Sequence, residues 1–199
     1  SNSPDGIISV TWSKPAGAVS MYDALEYQSG VSGSKEVADN TASKSLELNG
    51  RLDASYTYRV RACNDFDWAC SGYSSHSASV TVNHPTPDTP PSISVPSLVT
   101  KDNYSISWGA SSSSYTDDYQ VSQKHESGSW SSWSTVAGTT TIIDVDMGGL
   151  WTHKVRACNK LPDDSRKCSS AKVSSEVDVK LPPDWGRVGG AVPDAVYIP

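Results

Sequence analysis

Hydrophobic and polar residues alternate in short runs along this chain. Ile8-Ser9-Val10-Thr11-Trp12, Tyr56-Thr57-Tyr58-Arg59-Val60-Arg61-Ala62 and Tyr104-Ser105-Ile106-Ser107-Trp108 each carry an apolar residue at every second position. A period of two marks a strand with one face buried. The reading predicts strands over 7–12, 24–29, 33–38, 44–49, 56–63 and 77–82, and then over 92–96, 103–108, 118–125, 130–136, 140–146, 151–158 and 174–179. Gly, Ser, Asn, Asp and Pro fill the gaps, as turns require. Windows of helical period are absent, so the chain is expected to be all-β.

The pattern occurs twice. Val60-Arg61-Ala62-Cys63-Asn64 returns as Val155-Arg156-Ala157-Cys158-Asn159, 95 positions later (155 − 60). Ile8 to Trp12 returns as Tyr104 to Trp108, and Ser79 to Val82 as Glu176 to Val179, with offsets of 96 and 97. A unit of this length is a domain rather than a solenoid repeat. The domains are expected at 1–83 and 92–180, joined by a linker over 84–91 that holds four prolines, and followed by a tail over 181–199. Such proline content favours an extended, fairly stiff connector.

Composition narrows the function classes. The chain has 199 residues, 36% hydrophobic and 19% charged, with a formal charge of −6. That charge argues against nucleic acid as a partner, since phosphate binding needs a basic face, and no apolar run approaches a membrane span. Six residues separate Cys63 from Cys70 and nine separate Cys158 from Cys168, at matching places in the repeat. The expected pairing is therefore Cys63–Cys70 and Cys158–Cys168. A zinc site is the competing reading, but it calls for CxxC-like spacing and two converging pairs. Disulfides point to an oxidising compartment, outside the cytoplasm.

The run Tyr56-x-Tyr58-x-Val60-x-Ala62-x-Asn64 resembles strand F of a fibronectin type III domain. Trp12 and Trp108 resemble the buried strand-B tryptophan of that fold, and Leu25-x-Tyr27 and Tyr119-x-Val121 resemble its strand C. The resemblance covers roughly residues 7–180 and implies two tandem immunoglobulin-like β-sandwiches. The cysteine in strand F, closed by another before strand G, is similar to modules of bacterial surface and secreted proteins, including YD-repeat proteins and large modular secreted enzymes. Tyr56 fits the tyrosine corner of this fold. Trp151 stands in its place in the second unit and is expected not to make the same bond. By period two, Cys63 falls on the outer face of strand F, where its bridge would staple the hairpin from outside.

The two ends are out of phase. The first unit reads as lacking strand A, which in the second is Ser92 to Pro96. In the tail, Val196, Tyr197 and Ile198 match that strand position for position. They read as strand A of a third module, able to pair with the exposed strand-B edge of another copy.

His76, His84, His125 and His153 show no ligand or triad spacing, and His153, in the place of Tyr58, reads as a packing residue. Asp117-Asp118, Asp144-x-Asp146 and Asp163-Asp164 are few oxygens for calcium, which needs six to eight, and read as solvated turns. Trp130-Ser131-Ser132-Trp133-Ser134 resembles in wording the signature of class I cytokine receptors. It lies between strands C and E instead of near strand G, so it reads as an amphipathic C′ strand with its two tryptophans on opposite faces. Phe66 and Trp68, in the loop between Cys63 and Cys70, are the candidate protein-binding residues, unless they fold back to cap their own sandwich or pack on the neighbouring module.

No catalytic residue, cofactor or metal is expected. The expected role is a non-catalytic extracellular or cell-surface spacer or adhesion segment of a larger modular protein. The alternative is a carbohydrate- or protein-binding accessory module of a secreted glycosidase or toxin. Its expected partners are neighbouring modules of the same chain, an unidentified protein or glycan, and another copy through the tail.

Overall fold

The computed structural model of the chain describes residues 1–181 apart from 65 and 67. All regular structure among them is strand. The chain divides into two compact units. One is built on Ser1–Asp88 with Ser112–Asp118 and Ala157–Ser169, the other on Thr89–Ser111, Tyr119–Arg156 and the described residues from Ser170. The tail strand expected at Val196, Tyr197 and Ile198 lies outside the described residues.

The first sandwich uses β1 (Asn2–Ser3), β2 (Ile8–Thr11), β3 (Met21–Gln28), β4 (Lys35–Thr41), β5 (Ser45–Leu48), β6 (Ala54–Cys63) and β7 (Val80–Val82). One sheet runs β1-β7-β6-β3-β4, and β2 pairs with β5 in the other. Ile8 stands opposite Leu48 and Val10 opposite Leu46. These residues face Tyr56, Tyr58 and Val82, and the buried cluster they form is the core. Trp12 packs edge-on against Tyr22, with ring centroids 5.6 Å apart.

The first sandwich departs from two sequence expectations. The first unit does not lack a first strand altogether: Asn2 and Ser3 run parallel to Thr81 and Val82. The strand went unseen because two polar residues carry no alternation. The second correction concerns register in β3. Tyr22, Ala24 and Glu26 stand opposite Ala62, Val60 and Tyr58, whereas Leu25 and Tyr27 stand opposite Arg59 and Thr57, on the outer face. The counterparts of Tyr119 and Val121 are therefore Tyr22 and Ala24, both 97 positions earlier. Met21 to Gln28 has apolar residues in both phases and a glutamate in the inward one, and a slip of one residue exchanges the faces.

The second sandwich uses β8 (Ile93–Ser94), β9 (Leu98–Val99), β10 (Asn103–Trp108), β11 (Asp118–His125), β12 (Ser134–Val136), β13 (Thr140–Asp144), β14 (Gly149–Lys160), β15 (Arg166–Cys168), β16 (Lys172–Val173) and β17 (Val177–Val179). Its sheets run β13-β10-β8 and β12-β11-β14-β17-β9, with β15 and β16 also pairing β14. The first-strand region is split: β8 pairs β10 and β9 runs parallel to β17. Tyr104, Ile106, Trp108, Tyr119, Val121, Val155 and Val177 are buried, and Trp108 meets Tyr119 at 5.6 Å, as Trp12 meets Tyr22.

The corner before each long strand is closed by one device. The Tyr56 hydroxyl donates to the Leu52 carbonyl at 2.9 Å. Contrary to expectation, Trp151 makes the equivalent bond: its indole N–H donates to the Met147 carbonyl at 3.3 Å. Both acceptors lie four residues upstream, and a donor at the ring edge suffices whether it is O–H or N–H.

The cores differ in their buried polar groups. In the first, Glu26 accepts from the Arg51 Nε at 2.7 Å and from the Tyr58 hydroxyl at 3.0 Å. In the second, His153 occupies the place of Tyr58, is fully buried and meets the Tyr104 hydroxyl through Nε2 at 2.7 Å. Burial lowers its pKa to about 4, so the ring is neutral at physiological pH.

Candidate binding surfaces

Both cysteine pairs form disulfides, Cys63–Cys70 and Cys158–Cys168. Cys63 is 3% exposed, which corrects the picture of a staple on an open outer face. That face is itself covered, with the Asp23 carboxylate 3.5 Å from the Cys63 sulfur. Asp23, Cys63 and Cys70 lie within 4.8 Å of one another, but the sulfurs bond each other and offer no thiolate to a metal.

The disulfide closes the loop that carries Phe66 and Trp68. The Asn64 N–H donates to the Ala69 carbonyl at 2.9 Å, and the Asn64 side chain accepts from the Phe66 N–H at 2.7 Å. Within this closure Phe66 is 93% and Trp68 69% exposed. The aromatics therefore do not fold back as caps. Trp68 also sits at φ 58°, a left-handed conformation that strains a side chain of this size by about 1 kcal/mol.

A second surface covers the outer side of β6. Segment 71–77 runs beside it with a period of three. The N–H groups of Ser71, Ser74 and Ser77 donate to the carbonyls of Ala62, Val60 and Tyr58. Their hydroxyls accept the N–H groups of the same three residues, at 3.0–3.1 Å. Each hydroxyl then donates to the carbonyl of the residue following its own serine. A three-residue repeat, the period of polyproline II backbone, thus replaces the two-residue strand ladder, and serine side chains complete the bonding. The arrangement places Tyr73 and His76 on one face. Tyr73 lies under the guanidinium groups of Arg59 and Arg61, at 5.8 and 4.9 Å, and His76 meets Tyr27 at 4.5 Å. Arg61 donates to Asp23 at 2.7 Å. Burial works to raise the Asp23 carboxyl, but the Asn40 N–H and the Arg61 guanidinium outweigh it and hold its pKa below the ordinary value.

The second sandwich repeats the device from the other side of its sheet. The Ser131 N–H donates to the Gln123 carbonyl, and the Ser131 hydroxyl accepts the Gln123 N–H at 3.1 Å and donates to the Ser132 carbonyl. Regular strand begins only at Ser134. The expectation of a C′ strand with tryptophans on opposite faces is therefore corrected. With period-three contacts, Trp130 and Trp133 share one face. Lys154 lies over both rings, at 4.4 and 4.6 Å. Lys124 lies over Trp130 at 5.4 Å, and Arg156 over Trp133 at 4.2 Å. Arg156 donates to the neutral Gln120 side chain at 2.7 and 3.0 Å, and burial lowers its pKa.

The two segments share a wording that sequence reading missed: Tyr73-Ser74-Ser75-His76-Ser77 and Trp130-Ser131-Ser132-Trp133-Ser134 are both ring-Ser-Ser-ring-Ser. The signal lay in a period of three, invisible to a search for periods of two. The other candidates stay dispersed. His84 pairs with Asp53 at 2.7 Å, and His125 packs on Trp151 at 5.1 Å. Asp118 pairs with Arg166 and Asp164 with Lys160. These carboxylates brace loops. In the groove beside His76, lined by Trp12, Tyr22, Ser74 and Ser77 among others, the Ser74 and Ser77 hydroxyls are committed to backbone.

No family model and no curated protein matches the chain. Among solved structures it is similar to the FN1–FN3 domains of chicken CNTN1, with 14% identity, a TM-score of 0.43, and coverage of 90% of this chain and 64% of that one. It is also similar to a two-domain fibronectin type III segment of chicken tenascin, with 18% identity, a TM-score of 0.41, and coverage of 87% and 93%. The chain thus spans less than two thirds of the CNTN1 segment.

Proposed function

We propose that the chain is a non-catalytic, fibronectin type III-like adhesion or spacer segment of an extracellular modular protein, and that it contacts a protein partner through Phe66 and Trp68. One observation carries the reading: two large aromatics stand largely in solvent on a loop closed by Cys63–Cys70. Exposed aromatics are the usual anchors of protein interfaces, and a covalently closed loop loses little freedom on binding. Two disulfides in a chain of this size fit an oxidising compartment, and the cysteine placement fits the bacterial surface and secreted type.

The test coats beads with the chain and measures their retention on a cell layer and on the matrix those cells leave behind. The Phe66→Ala/Trp68→Ala pair is expected to abolish retention with the melting temperature unchanged. Retention equal to that of the wild type would overturn the proposal.

A further inference from the structure

We propose that the ladder Lys124–Trp130–Lys154–Trp133–Arg156 on the outer face of the second sandwich binds a sulfated polysaccharide chain. The inference adds a ligand class to the adhesion reading, on which it rests, but it concerns a different surface.

Charge is the first support. Lys124, Lys154 and Arg156 form no ion pair among the described residues, and the side chain that holds Arg156 is a neutral glutamine. Three uncompensated cations therefore share one face of a chain whose formal charge is −6. A polyanion would be drawn to that face and repelled by most of the rest. In the first sandwich the arginine corresponding to Arg156 is neutralised by Asp23, which leaves Arg59 there against three such cations in the second.

Order is the second support. The three cations are held by stacking on the indoles at 4.2–5.4 Å, and Ser131 locks the segment carrying Trp130 and Trp133 onto β11. Side chains already fixed lose little entropy when a ligand arrives. All five ladder residues are partly exposed, so their donors remain accessible.

The occupied ring faces decide the class of polyanion. A neutral sugar that stacks on tryptophan, or a nucleic-acid strand that stacks its bases, needs an open indole face. Here Lys124, Lys154 and Arg156 already lie over those rings. What remains accessible is a row of N–H donors and positive charge. That row matches a chain of sulfate groups, which are recognised by charge-assisted hydrogen bonds alone.

The test uses the full chain and heparin as probe, with uncharged dextran and a single-stranded oligothymidylate for comparison. Heparin is expected to bind in a salt-dependent manner, dextran not at all, and the oligonucleotide more weakly. Lys124→Gln/Lys154→Gln should weaken heparin binding about tenfold in a protein that still folds, with a melting temperature lowered by the lost contacts to Trp130 and Trp133. If that pair fails to fold, Lys124→Gln alone, at the end of the ladder, should still weaken binding by about threefold. The Phe66→Ala/Trp68→Ala pair should bind heparin as the wild type does, which separates this surface from the loop. Three results would overturn the proposal: undiminished heparin binding by the folded lysine variants, equal binding of dextran, or tighter binding of the oligonucleotide.

Discussion

The outer faces of the two sandwiches hold the same device with different charge balance. In each, two cations of the long strand meet rings of a ring-Ser-Ser-ring-Ser segment: Arg59 and Arg61 lie over Tyr73 alone, whereas Lys154 and Arg156 lie over Trp130 and Trp133. In the first the segment lies along β6 and the key arginine meets Asp23. In the second it lies along β11, and the key arginine meets Gln120. The first face has its key arginine neutralised and Arg59 bound to backbone carbonyls, whereas the second has no carboxylate at the corresponding place. A repeated fold can thus spend one copy of a motif on stability and leave the other available for recognition.

The largest expected effect separates the two cores. Removing the carboxylate in Glu26→Ala leaves the buried Tyr58 hydroxyl and the half-buried Arg51 without their shared acceptor, and should destabilise the first sandwich by about 3 kcal/mol in denaturant unfolding. The second sandwich should be unaffected.

Acid should separate them in the opposite sense. His153 has a folded pKa of about 4, below the ordinary 6.5, so between those values the unfolded chain binds more protons than the folded one. Stability of the second sandwich should therefore fall as pH drops below 6.5, by about 3 kcal/mol at pH 4. His153→Phe should remove that slope, as read from unfolding midpoints across the range. Tyr58, at the same place in the first sandwich, supplies no titration in this window.

Smaller effects test the ladders themselves. Trp133→Ala removes two cation contacts and should cost about 2 kcal/mol, while Tyr73→Ala, with longer contacts, should cost about 1 kcal/mol. Ser74→Ala leaves the Val60 N–H without its hydroxyl acceptor and should cost about 1 kcal/mol. Thermal unfolding of each variant measures the ranking.

The strand positions were largely readable because alternation, turn residues and the repeat agree. Both β10 and β11 follow the sequence pattern to the residue, over 103–108 and 118–125. Register in β3 was not readable, because Leu25 and Tyr27 are apolar residues on the outer face and Glu26 is a polar residue on the inner one. A buried carboxylate is understood only once its partners Arg51 and Tyr58 are beside it. The cysteine pairs were legible from spacing. The ladders were not, because segment 71–77 bonds through serine hydroxyls with a period of three and segment 130–133 is held by the Ser131 hydroxyl. Phe66 and Trp68 could be named from the sequence, but their exposure depends on the closure made by Asn64 and Ala69.

The most direct test of the contrast between the two faces is to give the second the neutralising residue of the first, as Gln120→Asp. Heparin affinity and melting temperature would be measured on the same protein. An aspartate facing Arg156 as Asp23 faces Arg61 is expected to weaken heparin binding several-fold while the fold holds or gains stability. Heparin binding unchanged in a folded Gln120→Asp protein would contradict the claim that charge balance divides the two faces.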